Sequence, residues 1–138
     1  MKKIISALLL IAGFAFGGFA QETAADSASM AVIKFDNQVF DFGKIPYASD
    51  GTHEFVFTND GKAPLILTNV RATCGCTIPS WTREPIAPGK SDKVAVKYDT
   101  RRTGPFTKTV TVQSNASNST VQITVKGEVQ AASTGQQN

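Results

Sequence analysis

The chain has 138 residues, a mass of 14.7 kDa and a formal net charge of +3, so it has room for one domain with a real hydrophobic core. Two of its 14 basic residues are Lys2 and Lys3 at the start of the chain, and the remainder is close to neutral. This balance excludes a strongly basic nucleic-acid-binding protein.

Residues 1–20 have the pattern of a secretory signal peptide. Lys2 and Lys3 precede an apolar run over residues 4–16, which is too short for a membrane span. The small residues Gly18 and Ala20 then fit the −3 and −1 positions of a signal-peptidase cleavage site before Gln21. No cysteine stands at this junction to receive a lipid. The sequence therefore predicts a periplasmic or secreted protein of Gram-negative type, with no transmembrane anchor in the mature chain.

The rest of the chain divides into three parts. Residues 21–30, rich in Ala, Ser and Thr, predict a flexible leader, residues 31–130 a single domain, and residues 131–138 a disordered polar tail. After residue 20 there are fifteen Thr and eleven Val but only two Leu. β-Branched residues pack well on a pleated sheet, whereas helical cores normally draw on leucine, so the domain is predicted to be all-β.

Period-two alternation of apolar and polar residues then locates the strands. They are predicted, in chain order, over residues 31–35, 39–42, 52–58, 65–72, 93–98, 106–112 and 120–125. The shared phase of the apolar positions predicts that one set of side chains is buried: Phe55, Phe57, Val94, Val96, Val110, Val112, Val121, Ile123 and Val125.

About seven short strands in a hundred residues predict an immunoglobulin-like β-sandwich with Greek-key connections, with an open barrel as the competing architecture. Residues 59–61 (Asn-Asp-Gly) are interpreted as a hairpin turn. Residues 65–67, apolar on both faces, predict the start of a central strand that is covered on both sides. Residues 73–91 contain no clear strand and are interpreted as the crossover between the sheets.

Several motifs occur in the order found in one secreted bacterial family, at residues 40–43, 57–65, 74–81, 85–89 and 104–115. Over residues 34–130 the chain resembles the family catalogued as domain of unknown function 1573, which looks like a relative of the Hydin-type and major-sperm-protein-like immunoglobulin folds. The resemblance implies an immunoglobulin-like fold and export. It implies no activity and supplies no catalytic positions.

Cys74 and Cys76 are the one pair that offers chemistry. Cysteines in an exported chain favour a disulfide, but two residues apart the bond needs a bend, which Gly75 can supply. One interpretation is a local cystine or buried thiol pair that shapes the crossover beside Trp81. The other is a labile redox pair, or two thiolates for a soft metal such as Cu(I) or Zn(II).

The remaining ligand and catalytic inventory is small. His53 is the only histidine, and because it alternates in phase with Phe55 and Phe57 it is interpreted as a residue near a strand end rather than a ligand. No nucleophile motif or phosphate-binding glycine loop is present, and most acidic residues lie at turns. We therefore predict no catalytic residues, no metal site and no cofactor.

Trp81 and Arg83, held between two prolines, form a candidate interface, because Trp and Arg are common interface anchors. The alternative is that Trp81 fills one end of the sandwich. The function predicted from these observations is a non-catalytic binding or structural module of the cell envelope, with a protein partner. A thiol site at Cys74 and Cys76 is the alternative, and carbohydrate stacking on Trp81 and Tyr47 is a third.

Overall fold

The computed structural model describes residues 30–133, which form eight strands and no helix. The strands are β1 (Ile33–Phe35), β2 (Val39–Ile45), β3 (Thr52–Asn59), β4 (Leu67–Ala72), β5 (Thr77–Trp81), β6 (Ser91–Tyr98), β7 (Gly104–Ser114) and β8 (Thr120–Val129). They build two four-stranded sheets in the orders β1-β3-β6-β5 and β2-β8-β7-β4. The predicted immunoglobulin-like sandwich is confirmed. The signal peptide, nearly all of the leader and the end of the tail lie outside the described residues.

The core lies between the sheets, where the alternating positions meet. Eight of the nine side chains predicted to be buried are buried, and Phe57, Val94, Val96 and Ile123 are 0 % exposed. Val121 is the exception, because it is the second residue of β8 and is only half-buried against the rim of the core. Full burial requires the opposite sheet to extend over a residue, so strand ends are the least covered positions.

The prediction of a central strand at residues 65–67 is wrong. Leu65 and Leu67 face the core, but Ile66 is 37 % exposed, and β4 pairs only with β7 at the edge of its sheet. An isolated apolar side chain on an outer face is common in soluble proteins, so three consecutive apolar residues did not require burial on both sides.

The predicted hairpin at residues 59–61 is also wrong, because β3 and β4 belong to different sheets. The fully buried Asn59 side chain organises this turn instead. Its amide nitrogen donates to the carbonyl oxygens of Ala63 (2.8 Å) and Ile86 (2.9 Å), while its oxygen accepts from the N–H groups of Gly61 (3.0 Å) and Val32 (3.4 Å). One side chain thus joins three separate segments.

The crossover contains a strand that the sequence did not predict. β5 (Thr77–Trp81) pairs with β6, with Pro79 opposite Val96. Pro79 is tolerated because β5 is an edge strand, where a missing N–H need not break a ladder. The change of sheet itself takes only residues 73–76, which contain both cysteines.

The opposite side of the sandwich is closed by a second short connection, residues 36–38, between β1 and β2. β1 is covered along its outer edge, because the Asn118 amide accepts from Ile33 N (3.1 Å) and donates to Ile33 O (2.7 Å). β2 runs parallel to β8, from Val39 opposite Thr124 to Ile45 opposite Val129. A bulge interrupts this pair beside Gly43, whose φ of +64° favours glycine.

Candidate functional site

The Cys-Gly-Cys sequence forms a tight turn closed by a disulfide between Cys74 and Cys76. Their Cα atoms are 5.3 Å apart, a separation typical of disulfides. Thr77 N donates to Cys74 O (3.4 Å), and Asp99 N donates to Cys76 O (2.9 Å), which ties the turn to the end of β6. Gly75 has no left-handed φ, and a Cβ placed on it would meet no atom within 4 Å. The predicted bend is present, but it does not depend on glycine.

The two cysteines differ in exposure. Cys76 is only 5 % exposed, whereas Cys74 is half-buried at the margin of the core. The Cys76 sulfur lies 3.8 Å from the hydroxyl oxygen of the buried Thr77. The disulfide is therefore neither a solvent-exposed loop closure nor a fully enclosed core cystine.

The turn forms one wall of a pocket of about 630 Å³, which we call the turn pocket. Its other walls come from residues 48–50, which connect β2 to β3, from Ile78, and from residues 97–101 at the end of β6. Thr100 fixes the first of these loops, because Thr100 O accepts from Ala48 N (3.1 Å) and the Thr100 hydroxyl donates to Ser49 O.

Charges of both signs line the turn pocket. Lys97 and Arg101 supply two cations, and Asp50 and Asp99 supply two anions. Hydrogen bonds from Thr52 lower the pKa of Asp50 below its ordinary value, with a further small contribution from Lys97. Burial raises the pKa of Tyr98, whose ring stacks on Phe106 at 3.8 Å between centroids. Sequence reasoning missed this pocket, since its residues come from three distant segments with no shared motif.

Trp81 and Arg83 lie away from the disulfide. Thr77 and Trp81 are at opposite ends of β5, about 13 Å apart at the usual rise per residue. The expectation that the cysteine pair lies beside Trp81 is therefore wrong. The Trp81 indole packs against the core, the Arg83 guanidinium lies 5.0 Å from its ring centroid, and Trp81 Nε1 is buried with no hydrogen-bond partner among the described residues. Tyr47, 42 % exposed, is in the loop after β2.

His53 is held by aromatic rings. It stacks on Phe40 of the other sheet at 3.6 Å between centroids and meets Phe55 edge-on at 4.7 Å. Within residues 30–133, no three His, Cys, Asp or Glu side chains are close enough together to hold a metal ion. The same part of the chain has no helix of the length and apolarity needed to cross a bilayer.

The pH dependence of stability should report on His53. Burial lowers its pKa below 6.5, with Glu54 opposing the shift, so the unfolded chain binds the proton more readily than the folded one. The free energy of unfolding should therefore fall as the pH drops from about 7.5 through 6.5 towards the lower folded pKa. Urea unfolding at pH 7.5 and 5.5 measures this, and His53→Phe should remove most of the difference. An unchanged difference in His53→Phe would assign it to another group.

Loss of the disulfide should cost little stability. A three-residue loop contributes only about 1.5 kcal/mol by the loop-entropy relation. Urea unfolding of Cys74→Ser/Cys76→Ser should therefore give a free energy of unfolding lower than wild type by about this amount. Wild type measured in reductant is the control, because it separates loss of the loop closure from burial of the hydroxyl introduced at position 76. A loss several times larger in both samples would contradict the expectation.

The domain matches one protein family and resembles several solved structures. The family model described as "Protein of unknown function (DUF1573)" matches residues 33–129. No curated protein matches the chain. Among solved structures, a protein of unknown function from Porphyromonas gingivalis W83 has a TM-score of 0.66 at 19 % identity over 78 % of this chain and 51 % of its own. This chain therefore spans about half the length of that protein.

Two further solved structures share the fold. The ASH/PapD-like domain 7 of human CEP192 has a TM-score of 0.60 at 11 % identity, over 94 % of this chain and 99 % of its own. The VesB protease of Vibrio cholerae has a TM-score of 0.56 at 17 % identity, over 74 % of this chain but only 32 % of its own. At these identities the similarities establish the immunoglobulin-like fold alone. With the family match over residues 33–129, the conclusion is that this chain belongs to the DUF1573 family.

Proposed function

We propose that the protein is an exported, non-catalytic binding module of the cell envelope, and that its turn pocket binds an extended segment of a partner protein. The observation that carries the proposal is the position of Ile78. It is 65 % exposed, more than any other large apolar side chain of the described residues, and it lies on the wall of the turn pocket.

The composition of this surface suits a protein segment. Ile78 and Cys76 supply apolar surface, and Lys97, Arg101, Asp50 and Asp99 supply charges of both signs. Protein interfaces commonly combine an apolar centre with a polar rim. The partner segment is expected to place an apolar side chain against Ile78, with flanking charges of both signs.

Recognition through side chains fits the backbone of β5 better than strand addition does. Tyr98, which lies opposite Thr77, donates its N–H to Gly51 O on the side away from β5. Thr77 and Tyr98 are therefore a non-hydrogen-bonded pair, and the backbone N–H and C=O groups of Thr77 point away from β6. Because backbone direction alternates along a strand, those of Pro79 and Trp81 also face the free edge of the sheet. Pro79 has no N–H, and Thr77 N already donates to Cys74 O. A partner strand would therefore find few free donors on this edge.

The surroundings of His53 and of the acidic residues in the turn pocket support a non-catalytic function. His53, the one imidazole, is held by the rings of Phe40 and Phe55, whereas a general base must lie within hydrogen-bond reach of the proton that it takes. The acidic residues of the turn pocket are accompanied by equal numbers of cations.

Site-specific cross-linking tests the binding proposal. A photoreactive phenylalanine analogue at position 78 should form a defined protein adduct in intact cells, whereas the same group at position 122, exposed on the other sheet, should not. Ile78→Asp should weaken partner binding in purified components once the adduct is identified by mass. Equal adducts at both positions, or none at 78, would overturn the proposal.

Export has its own test. The signal peptide predicts that the protein in the envelope fraction begins at Gln21, and that a chain lacking residues 2–20 stays in the cytoplasm. Intact mass of the protein from each fraction measures both. Full-length protein with Met1 in the envelope fraction would contradict the prediction.

The alternative function is the thiol site at Cys74 and Cys76. Soft-metal carriage would first require reduction of the disulfide, and no third ligand lies near it among the described residues.

A further inference from the structure

We propose that the Cys74–Cys76 disulfide is a thiol–disulfide exchange site, which accepts two electrons from the dithiol of another protein. The proposal rests on two observations: the half-exposed Cys74, and the hydroxyl of Thr77 beside the sulfur of the buried Cys76. It goes beyond the binding function and does not depend on it.

Exposure assigns the two sulfur atoms different roles. Cys74 is the more exposed residue, so an incoming thiolate attacks Cys74 Sγ. Cys76, only 5 % exposed, is the leaving group. Its sulfur is 3.8 Å from Thr77 Oγ1, so the Thr77 hydroxyl can donate to the thiolate as it forms. The turn pocket contains equal numbers of cations and anions, so its net charge does not stabilise a thiolate at Cys76. The Thr77 hydroxyl is the group that favours Cys76 over Cys74 as the leaving thiolate.

The exchange balances in two steps. In the first, a partner thiolate forms a bond with Cys74 Sγ, the Cys74–Cys76 bond breaks, and Cys76 Sγ takes the electron pair as a thiolate. In the second, the other partner thiolate attacks the partner sulfur of the mixed disulfide and releases Cys74 as a thiolate. The partner dithiol is oxidised to a disulfide, and Cys74 and Cys76 are reduced by two electrons, with protons taken up from solvent.

The surrounding fold can hold its shape through this cycle. None of the backbone bonds that hold the turn uses a sulfur atom, since Thr77 N donates to Cys74 O and Asp99 N donates to Cys76 O. β5 pairs with β6 along all five of its residues, again through the backbone. The disulfide can therefore open without separation of the two sheets.

The test is reduction of the purified domain by dithiothreitol, followed over time by alkylation and intact mass. The decisive comparison is with Ile33→Ala, which destabilises the core at β1, at the opposite edge of the sheet from β5, and so raises the unfolded fraction. If thiols attack the folded protein, both proteins should be reduced at the same rate. If the rate of Ile33→Ala rises in step with its unfolding constant, the bond opens only on unfolding and the proposal is overturned.

Two further measurements test the assigned roles. Thr77→Val should slow reduction about tenfold, since a hydrogen bond to a charged group is worth roughly one power of ten in rate, while Thr107→Val on the outer face of β7 should not. Brief reaction with glutathione, followed by fragment mass analysis, should place the glutathione on Cys74. An unchanged rate in Thr77→Val, or glutathione mainly on Cys76, would overturn the assignment of Cys76 as leaving group.

Discussion

Replacing Asn59 with leucine is expected to lower the free energy of unfolding by about 3 kcal/mol or more, because buried polar groups left without partners each cost about 1–3 kcal/mol. The Asn59 side chain is 0 % exposed and bonds to backbone groups of Val32, Gly61, Ala63 and Ile86. Leucine has the same branching and the same number of heavy atoms, but it is bulkier and satisfies none of them. Urea unfolding measures the loss, and Asn37→Leu, at an exposed position between β1 and β2, is the matched control.

Asn59→Asp separates lost hydrogen bonds from changed volume. A carboxylate has the same shape, but it cannot donate to Ala63 O or Ile86 O and it places a charge in the core. Burial raises the pKa of such a group in the folded state, so the variant should gain stability as the pH falls and lose it as the pH rises towards 7. A variant as stable as wild type at pH 7 would show that the Asn59 amide donors contribute little.

The second large effect is expected at Gly61, where alanine should cost about 2–3 kcal/mol, the range of overpacked core positions. A Cβ on Gly61 would lie 2.3 Å from Met30 O and 2.5 Å from Val32 N, both of them backbone atoms that cannot move aside as a side chain can. Relief would separate residues 30–32 from the turn and break the bonds from Asp60 N to Val32 O and from Lys62 N to Met30 O.

Gly75→Ala is the matched control for Gly61→Ala. A Cβ on Gly75 meets no atom within 4 Å, and its φ is not left-handed, so its effect on urea unfolding should be within about 0.5 kcal/mol of wild type. Equal losses in both variants would contradict the steric explanation, because a Cβ on Gly75 has no neighbour to displace.

The sandwich was predictable because most of its strands alternate between buried and outward-facing positions. Val110 and Val112 are separated by Thr111, and Ile123 is flanked by Gln122 and Thr124. Period two, with the turns between strands, is enough to define two packed sheets. The strand β5 was not predictable, since Pro79 and Pro85 indicate a loop. Only its place at a sheet edge, a tertiary feature, makes Pro79 acceptable.

The Asn59 turn and the turn pocket show a second limit of sequence reasoning. Asn-Asp-Gly is typical of a hairpin, but here Asn59 bonds to residues as distant in sequence as Val32 and Ile86. The close spacing of the two cysteines could be seen in the sequence. Their neighbours Ile78, Lys97 and Arg101 could not, because the fold alone brings those segments together.

The parallel pair of β2 and β8 determines how the domain would respond to mechanical tension. The chain enters β2 at Val39 and leaves β8 at Val129, at opposite ends of the pair. Tension applied to the chain before β2 and after β8 would first detach the three-residue β1. It would then act along β2 and β8 in opposite directions. Their hydrogen bonds would then be sheared together rather than opened one at a time, so the first and last long strands form a clamp suited to bearing force.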